Sequence, residues 1–282
     1  MGYTNKTDKS VYDRGRKVRG FSLIEVLIGL LLSTIIVFAL YAVLSSQDRV
    51  YSLQDDIGEM QQNLRVAIEK ISRDISMAGF GKPAWSNVND ASLSSWYNVG
   101  NGYRAIKPVS GSGTTLDILG CLDAASGKLS ASVTAGETNI VLQPGEGPHF
   151  NASPGTKSDI SIGGYENAKI IGISGDILTI DTDPVASGNQ GLANNYAGGT
   201  EVYTVRWLTY STGTSDGVPV FRINENRGSG NQPLCQYITG MSVSVNGSIV
   251  DLTLNARTRN PDRTTGQYIT ASMDTRIVLR NP

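Results

Sequence analysis

With 282 residues the chain is long enough for one or two ordinary domains. Its single histidine and two cysteines, with no CxxC pair, argue against a Cys/His zinc site. The formal charge of −1 hides an asymmetry: residues 1–20 carry six Lys/Arg against Asp8 and Asp13, and without them 18 basic would face 23 acidic side chains, near −5.

Residues 21–44 form a run of 24 with one charge, Glu25. About 20 helical residues at ~1.5 Å each cover the ~30 Å hydrocarbon core of a bilayer, so the run predicts a membrane-spanning helix. A carboxylate this far inside costs roughly 2.5–3.5 kcal/mol on insertion scales, a penalty that calls for a use. The basic residues ahead of the run keep that end cytoplasmic by the positive-inside rule, so everything after Leu44 faces the periplasm or exterior. An ordinary secretory signal fits poorly. Its apolar core has about 7–15 residues and ends at a small-residue cleavage site, whereas this run is longer and Ala39-Leu40-Tyr41 is no such site.

The stretch Gly20-Phe21-Ser22-Leu23-Ile24-Glu25-Val26-Leu27-Ile28, behind its basic leader, closely resembles the class III signal of type IV prepilins and type II secretion pseudopilins. The resemblance implies that a membrane-embedded prepilin peptidase cuts after Gly20 and methylates the new amine of Phe21. It also implies an assembly role for Glu25. A positively charged secondary amine near the membrane needs an acceptor on a neighbouring subunit. At an effective dielectric near 20, unit charges ~4 Å apart attract by about 4 kcal/mol, which offsets the insertion cost and fixes the stagger between subunits.

Beyond the run, Val50, Leu53, Ile57, Met60, Leu64, Ile68, Ile71, Ile75 and Ala78 recur at steps of three and four. Such a stripe predicts that one helix continues from about residue 21 to 78, with one apolar face. Asp55, Asp56, Glu59, Arg65, Glu69, Lys70, Arg73 and Asp74 fall between and suit the solvated faces, with Glu69 and Arg73 spaced for a weak surface pair. Gly79, Gly81 and Pro83 stop the helix. From Leu64 onward the stripe is expected to be intramolecular core, and from Val50 to Met60 to meet other subunits.

After Trp85 the chain reads as β structure with abundant turns. Segments 169–174 and 177–181 flank Gly175-Asp176, and 243–245 and 248–254 flank Asn246-Gly247, both two-residue hairpin signals. Longer strands are expected at 201–210 and 267–279, and 128–195 reads as a β-rich insertion. The fold class expected is α+β: a long N-terminal helix packed on an antiparallel β head. Cys121 and Cys235 permit one bridge in an exported compartment, with about 4–5 kcal/mol from loop closure, or else two small buried thiols.

Residues 51–54, 64–69 and 73–79 resemble the helix end of PilW-type minor pilins and J-type pseudopilins, and 276–282 is similar to their last strand. The resemblance implies a minor pilin at the filament tip or initiation complex, since the head is larger than close packing of identical subunits favours. It implies as partners the prepilin peptidase, the inner membrane, other minor pilins, the major pilin, and a separate assembly platform and motor ATPase. The rival readings are a type II secretion pseudopilin, or a tip adhesin or DNA-uptake module.

Enzymatic readings find little. His149 is the only imidazole and no Gly-x-Ser-x-Gly elbow or Gly-x-x-x-x-Gly-Lys loop accompanies it. Asp181-Thr182-Asp183 offers oxygens for calcium but lacks the glycine and closing glutamate of an EF-hand. Arg206, Arg222, Arg227, Arg257, Arg259, Arg263, Arg276 and Arg280 stand against six acids in residues 200–282, a slight margin for binding nucleic acid. Trp96, Tyr97 and Tyr103 read as head core. No cofactor is expected.

Overall fold

The computed structural model describes residues 20–81, 109–152, 158–183, 187–226 and 230–281. Pro83, Trp85, Trp96, Tyr97, Tyr103 and Arg227 lie outside them. The chain divides into two compact units, Met1–Ser52 and Leu53–Pro282.

One helix, α1 (Leu23–Met77), runs through 55 residues. Through Leu44 it is apolar all round apart from Glu25 and exposed, and among the described residues it is the helix long and apolar enough to cross a membrane. Its two consecutive hydroxyls are satisfied within the helix, Ser33 Oγ donating to Gly29 O and Thr34 Oγ1 to Leu30 O, both at 2.7 Å. A hydroxyl bonded in this way carries no unmet donor into lipid.

In the second unit α1 buries Met60, Leu64, Ala67, Ile71 and Ile75 against the head, with Ile57 and Ile68 packed beside them. Each such Leu or Ile contributes roughly 1.5–3 kcal/mol. The intramolecular seam therefore begins earlier than the stripe suggested: Met60, expected to face other subunits, is 2% exposed. Asp74, expected on a solvated face, is 1% exposed. It sits three residues after Ile71 and four before Ala78, at the angle of the apolar stripe, and survives there because Lys70 Nζ reaches it at 2.8 Å and the Tyr210 hydroxyl donates to it. Among the described residues the ion pair of this helix is Lys70–Asp74 rather than Glu69–Arg73.

The β head follows in chain order. Strands β1 (Val109–Ser112) and β2 (Thr115–Gly120) form a hairpin. Then come β3 (Gly127–Lys128), β4 (Asn139–Val141), β5 (Asp159–Ile162), β6 (Glu166–Ser174), β7 (Ile177–Asp181) and β8 (Glu201–Thr204). These six close into an antiparallel sheet of order β3-β8-β5-β6-β7-β4 around Ile140, Ile160, Ile162, Ile170, Leu178 and Val202. The chain then returns with β9 (Arg206–Ser215), β10 (Val218–Asn224) and β11 (Asn231–Gln236), which extend the first hairpin to the order β1-β2-β9-β10-β11. Finally β12 (Ile238–Asn246), β13 (Ile249–Arg257) and β14 (Thr270–Val278) make a three-stranded antiparallel sheet. Side chains from this sheet and from the five-stranded one share a single core with α1, including Leu116, Leu208, Tyr210, Phe221, Leu252 and Leu254. The α+β class is the observed one.

The strand expected at 201–210 is two. Val205 separates β8 from β9: its N–H donates to Asp159 O at 2.8 Å, while its side chain packs with Leu119 and Cys121 in a small cluster of their own. Of the hairpin signals, Gly175-Asp176 is the loop between β6 and β7, with Gly175 at φ 59°. The other moves by one residue. Asn246 pairs with Ile249, so the loop is Gly247-Ser248, and glycine at the first loop position (φ 59°) is what a type II′ turn requires. A third, Asp216-Gly217 between β9 and β10, has both residues at positive φ (51° and 79°) as in a type I′ turn.

Where α1 ends, the chain crosses the end of β2 closely. Gly79 N–H donates to Leu119 O at 2.9 Å and Cys121 N–H to Phe80 O at 2.8 Å. Gly81 stands at φ 64°, and a Cβ there would lie 2.4 Å from Cys121 Sγ, so this crossing needs glycine for both conformation and space.

Candidate processing and assembly site

Gly20, Phe21 and Ser22 precede the first helical turn, and all three are exposed. A Cβ built on Gly20 would meet nothing within 4 Å, and its φ is not in the left-handed region. Phe21 is 80% exposed. These three residues lie outside any helix or strand and are exposed to solvent.

Ser22 turns the chain into the helix. Its carbonyl accepts from Glu25 N–H at 3.0 Å and from Val26 N–H at 3.2 Å, and its Oγ accepts from Glu25 N–H at 3.3 Å. Such a cap satisfies donors that a helix start otherwise leaves bare, which matters most where water is scarce. The signal for it is present in the sequence as Ser22-x-x-Glu25, the capping-box spacing. Glu25 lies in the first turn, where the positive end of the helix dipole favours a carboxylate by about 0.3–1 kcal/mol. It is exposed and has no ion-pair partner among the described residues. What the geometry brings together at one helix end is an accessible Gly20–Phe21 bond, a capped first turn and a free carboxylate one turn into an apolar surface.

The remaining candidates lie in the head and are scattered. Cys121 and Cys235 are both free, buried thiols in separate clusters, Cys121 with Leu119 and Val205 and Cys235 in the main core. Burial, followed by the charge of Asp123, pushes the Cys121 thiol up to about 12, and burial also raises Cys235. Neither is a nucleophile at neutral pH. His149 ends a short 3-10 helix (Gly147–His149), exposed, with Nδ1 2.9 Å from Ser126 O. Asp181 Oδ1 accepts from Asp183 N–H (3.1 Å) and Gln190 N–H (3.0 Å), the bonding of a turn at a strand end.

Of the arginines considered for nucleic acid, four of the seven among the described residues are engaged within the head. Arg206 pairs with Asp123 (2.6 Å) and Glu225, Arg222 donates to Thr214 O, Arg257 covers the Tyr268 ring at 3.9 Å, and Arg276 pairs with Asp251 (2.6 Å).

Residues 15–41 match the family model for the prokaryotic N-terminal methylation motif. The matched stretch takes in Arg16, Lys17 and Arg19, the Gly20–Glu25 segment and the apolar run to Tyr41. No curated protein and no solved structure matches the chain.

Proposed function

Because this chain is a type IV pilin-like protein with a class III signal, we propose that it is cut between Gly20 and Phe21 and built into a type IV pilus as a minor pilin of the tip or initiation complex. The observation that carries this reading is the coincidence of the methylation motif with the accessible, capped start of a long apolar helix. In this reading residues 1–20 are the leader, 21–44 the membrane half of the helix, 45–79 its periplasmic half and 80–282 the head, with 128–195 an inserted β unit.

Cleavage leaves Phe21 with a methylated, positively charged amine two residues before α1. Ser22 stays behind, so the helix keeps its cap. Glu25 on an adjoining subunit accepts that amine in a low-dielectric setting, an attraction of about 4 kcal/mol at ~4 Å and an effective dielectric near 20. The exposed apolar half of the helix exchanges lipid for neighbouring helices as the subunit leaves the inner membrane. A head with a six-stranded sheet beyond the five- and three-stranded pair suits a low-copy position better than a crowded shaft. Its partners are then the prepilin peptidase, other minor pilins, the major pilin, the assembly platform and the motor ATPase. We assign it no catalytic role and no cofactor, and the engaged arginines speak against nucleic acid as its ligand.

Mass spectrometry of the protein recovered from cells tests the processing directly. The expected N-terminal residue is N-methylated Phe21. Recovery with Met1 retained, or trimmed at any other bond, overturns the reading.

A further inference from the structure

A cleft of about 770 Å³ opens within the Leu53–Pro282 unit, in the size range that takes a drug-sized ligand. Met77 and Phe80, at the end of α1, and Leu122, in the loop after β2, give it an apolar floor. Four charged side chains line it, and they are not alike. Asp123 is paired with Arg206 at 2.6 Å, and Glu201 accepts the Tyr203 hydroxyl and stands 3.6 Å from Lys128 Nζ. Arg73 and Arg280 are exposed and have neither an ion-pair nor a hydrogen-bond partner among the described residues, even though Glu69 lies one turn from Arg73. Both carboxylates of the cleft thus face cations outside it, Arg206 being shared with Glu225, while the guanidiniums of Arg73 and Arg280 are left to attract an anion.

We propose that this cleft docks a carboxylate-bearing peptide segment of another polypeptide, its acid held by Arg73 and Arg280 and an adjacent apolar side chain laid on Met77, Phe80 and Leu122. A guanidinium presents a planar fork of donors that matches a carboxylate bidentately. The open side of the cleft suits a chain segment that enters and leaves, whereas small-molecule sites bury most of their ligand. This assignment does not rest on the filament reading: all lining residues belong to the Leu53–Pro282 unit, and no part of the Gly20–Glu25 segment is used.

The test uses the full-length protein in detergent micelles and a fluorescently labelled acetyl-Glu-Phe-Glu-amide peptide, followed by anisotropy. The glutamate peptide is expected to bind at least tenfold more tightly than its glutamine counterpart and to weaken in 0.5 M salt. R73Q and R280Q should each weaken it about tenfold and R73K and R280K less, while R65Q, at an exposed helix arginine outside the cleft, leaves it unchanged. All three arginines are exposed, so the variants are expected to melt with the parent, and the Lys variants preserve the readout if a Gln variant does not. Equal binding of the glutamine peptide, full affinity in the R73Q/R280Q double variant, or no binding at millimolar peptide overturns the proposal. So does tighter competition by inorganic phosphate or hydrocinnamate than by unlabelled peptide, which would place the ligand in another class.

Discussion

A methyl group added at Gly20 would meet no atom of the described residues within 4 Å, whereas at Gly81 it would strike Cys121 Sγ. The two glycines answer to different masters. Gly81 is required by the fold, whereas no contact among the described residues requires glycine at position 20. Glu25 poses the same contrast with Asp74. Both are carboxylates on α1, yet Asp74 is buried and bonded to Lys70 and Tyr210, while the Glu25 carboxylate has no partner among the described residues. Glu25→Gln should therefore leave cleavage and methylation intact and reduce incorporation into surface filaments by about tenfold or more, equivalent to ~1.4 kcal/mol. Immunoblots of sheared filaments against whole-cell protein measure this, and wild-type incorporation would rule out the charge pairing. Gly20, Phe21 and Glu25 stand out in the sequence because the methylation motif that contains them is local, within residues 15–41. The cap at Ser22 is equally local, carried by the Ser22-x-x-Glu25 spacing.

At the level of elements, α1 was read almost to its ends because a three-and-four spacing survives any choice of partner. What covers each position of that stripe was not legible. Met60 and Asp74 were both misplaced, since their neighbours come from strands far along the chain, Tyr210 being 136 residues beyond Asp74. Removing the Asp74 side chain strands a buried tyrosine hydroxyl and a half-exposed lysine. Asp74→Ala should cost about 1–3 kcal/mol, against ~0.5 kcal/mol or less for Glu69→Ala on the exposed face. Urea denaturation of the detergent-solubilised protein compares them, and equal losses would show that the buried bonds contribute nothing net. The hairpins follow the same logic. Gly175, Gly217 and Gly247 mark turns wherever they fall, but the register at Gly247-Ser248 is set by Val250, Leu252 and Leu254 having to face the core, which shifts the loop by one.

On the scale of the molecule, the six-stranded sheet stands on its own core and is tied by carboxylates to its loops. Asp176 accepts from Gly147 N–H (2.9 Å) and Gly145 N–H (3.0 Å), and these backbone bonds hold it below the ordinary carboxylate value. Glu201 is lowered too, chiefly by the Tyr203 hydroxyl. A depressed folded-state pKa contributes stability that is complete above the unfolded value, near 3.8 for Asp176, and is lost as pH falls through the folded value. Amide exchange at Gly145 and Gly147 should therefore lose protection, relative to the rest of the sheet, below about pH 4. Asp176→Asn should abolish that pH dependence, and an unchanged acid profile in the variant would remove Asp176 from the account. By itself the sequence determined the membrane-length helix, the processing motif at its start, the α+β class and the turn-rich character of the head. These depend on spacing and residue type along one stretch of chain. Only the tertiary structure decided that Cys121 and Cys235 remain separate thiols, that Val205 divides two sheets, that Asp74 is interior, and that Arg73 and Arg280 share a cleft. Each of those is a meeting of distant segments, chosen by which apolar faces must be buried together, and no local pattern carries that choice.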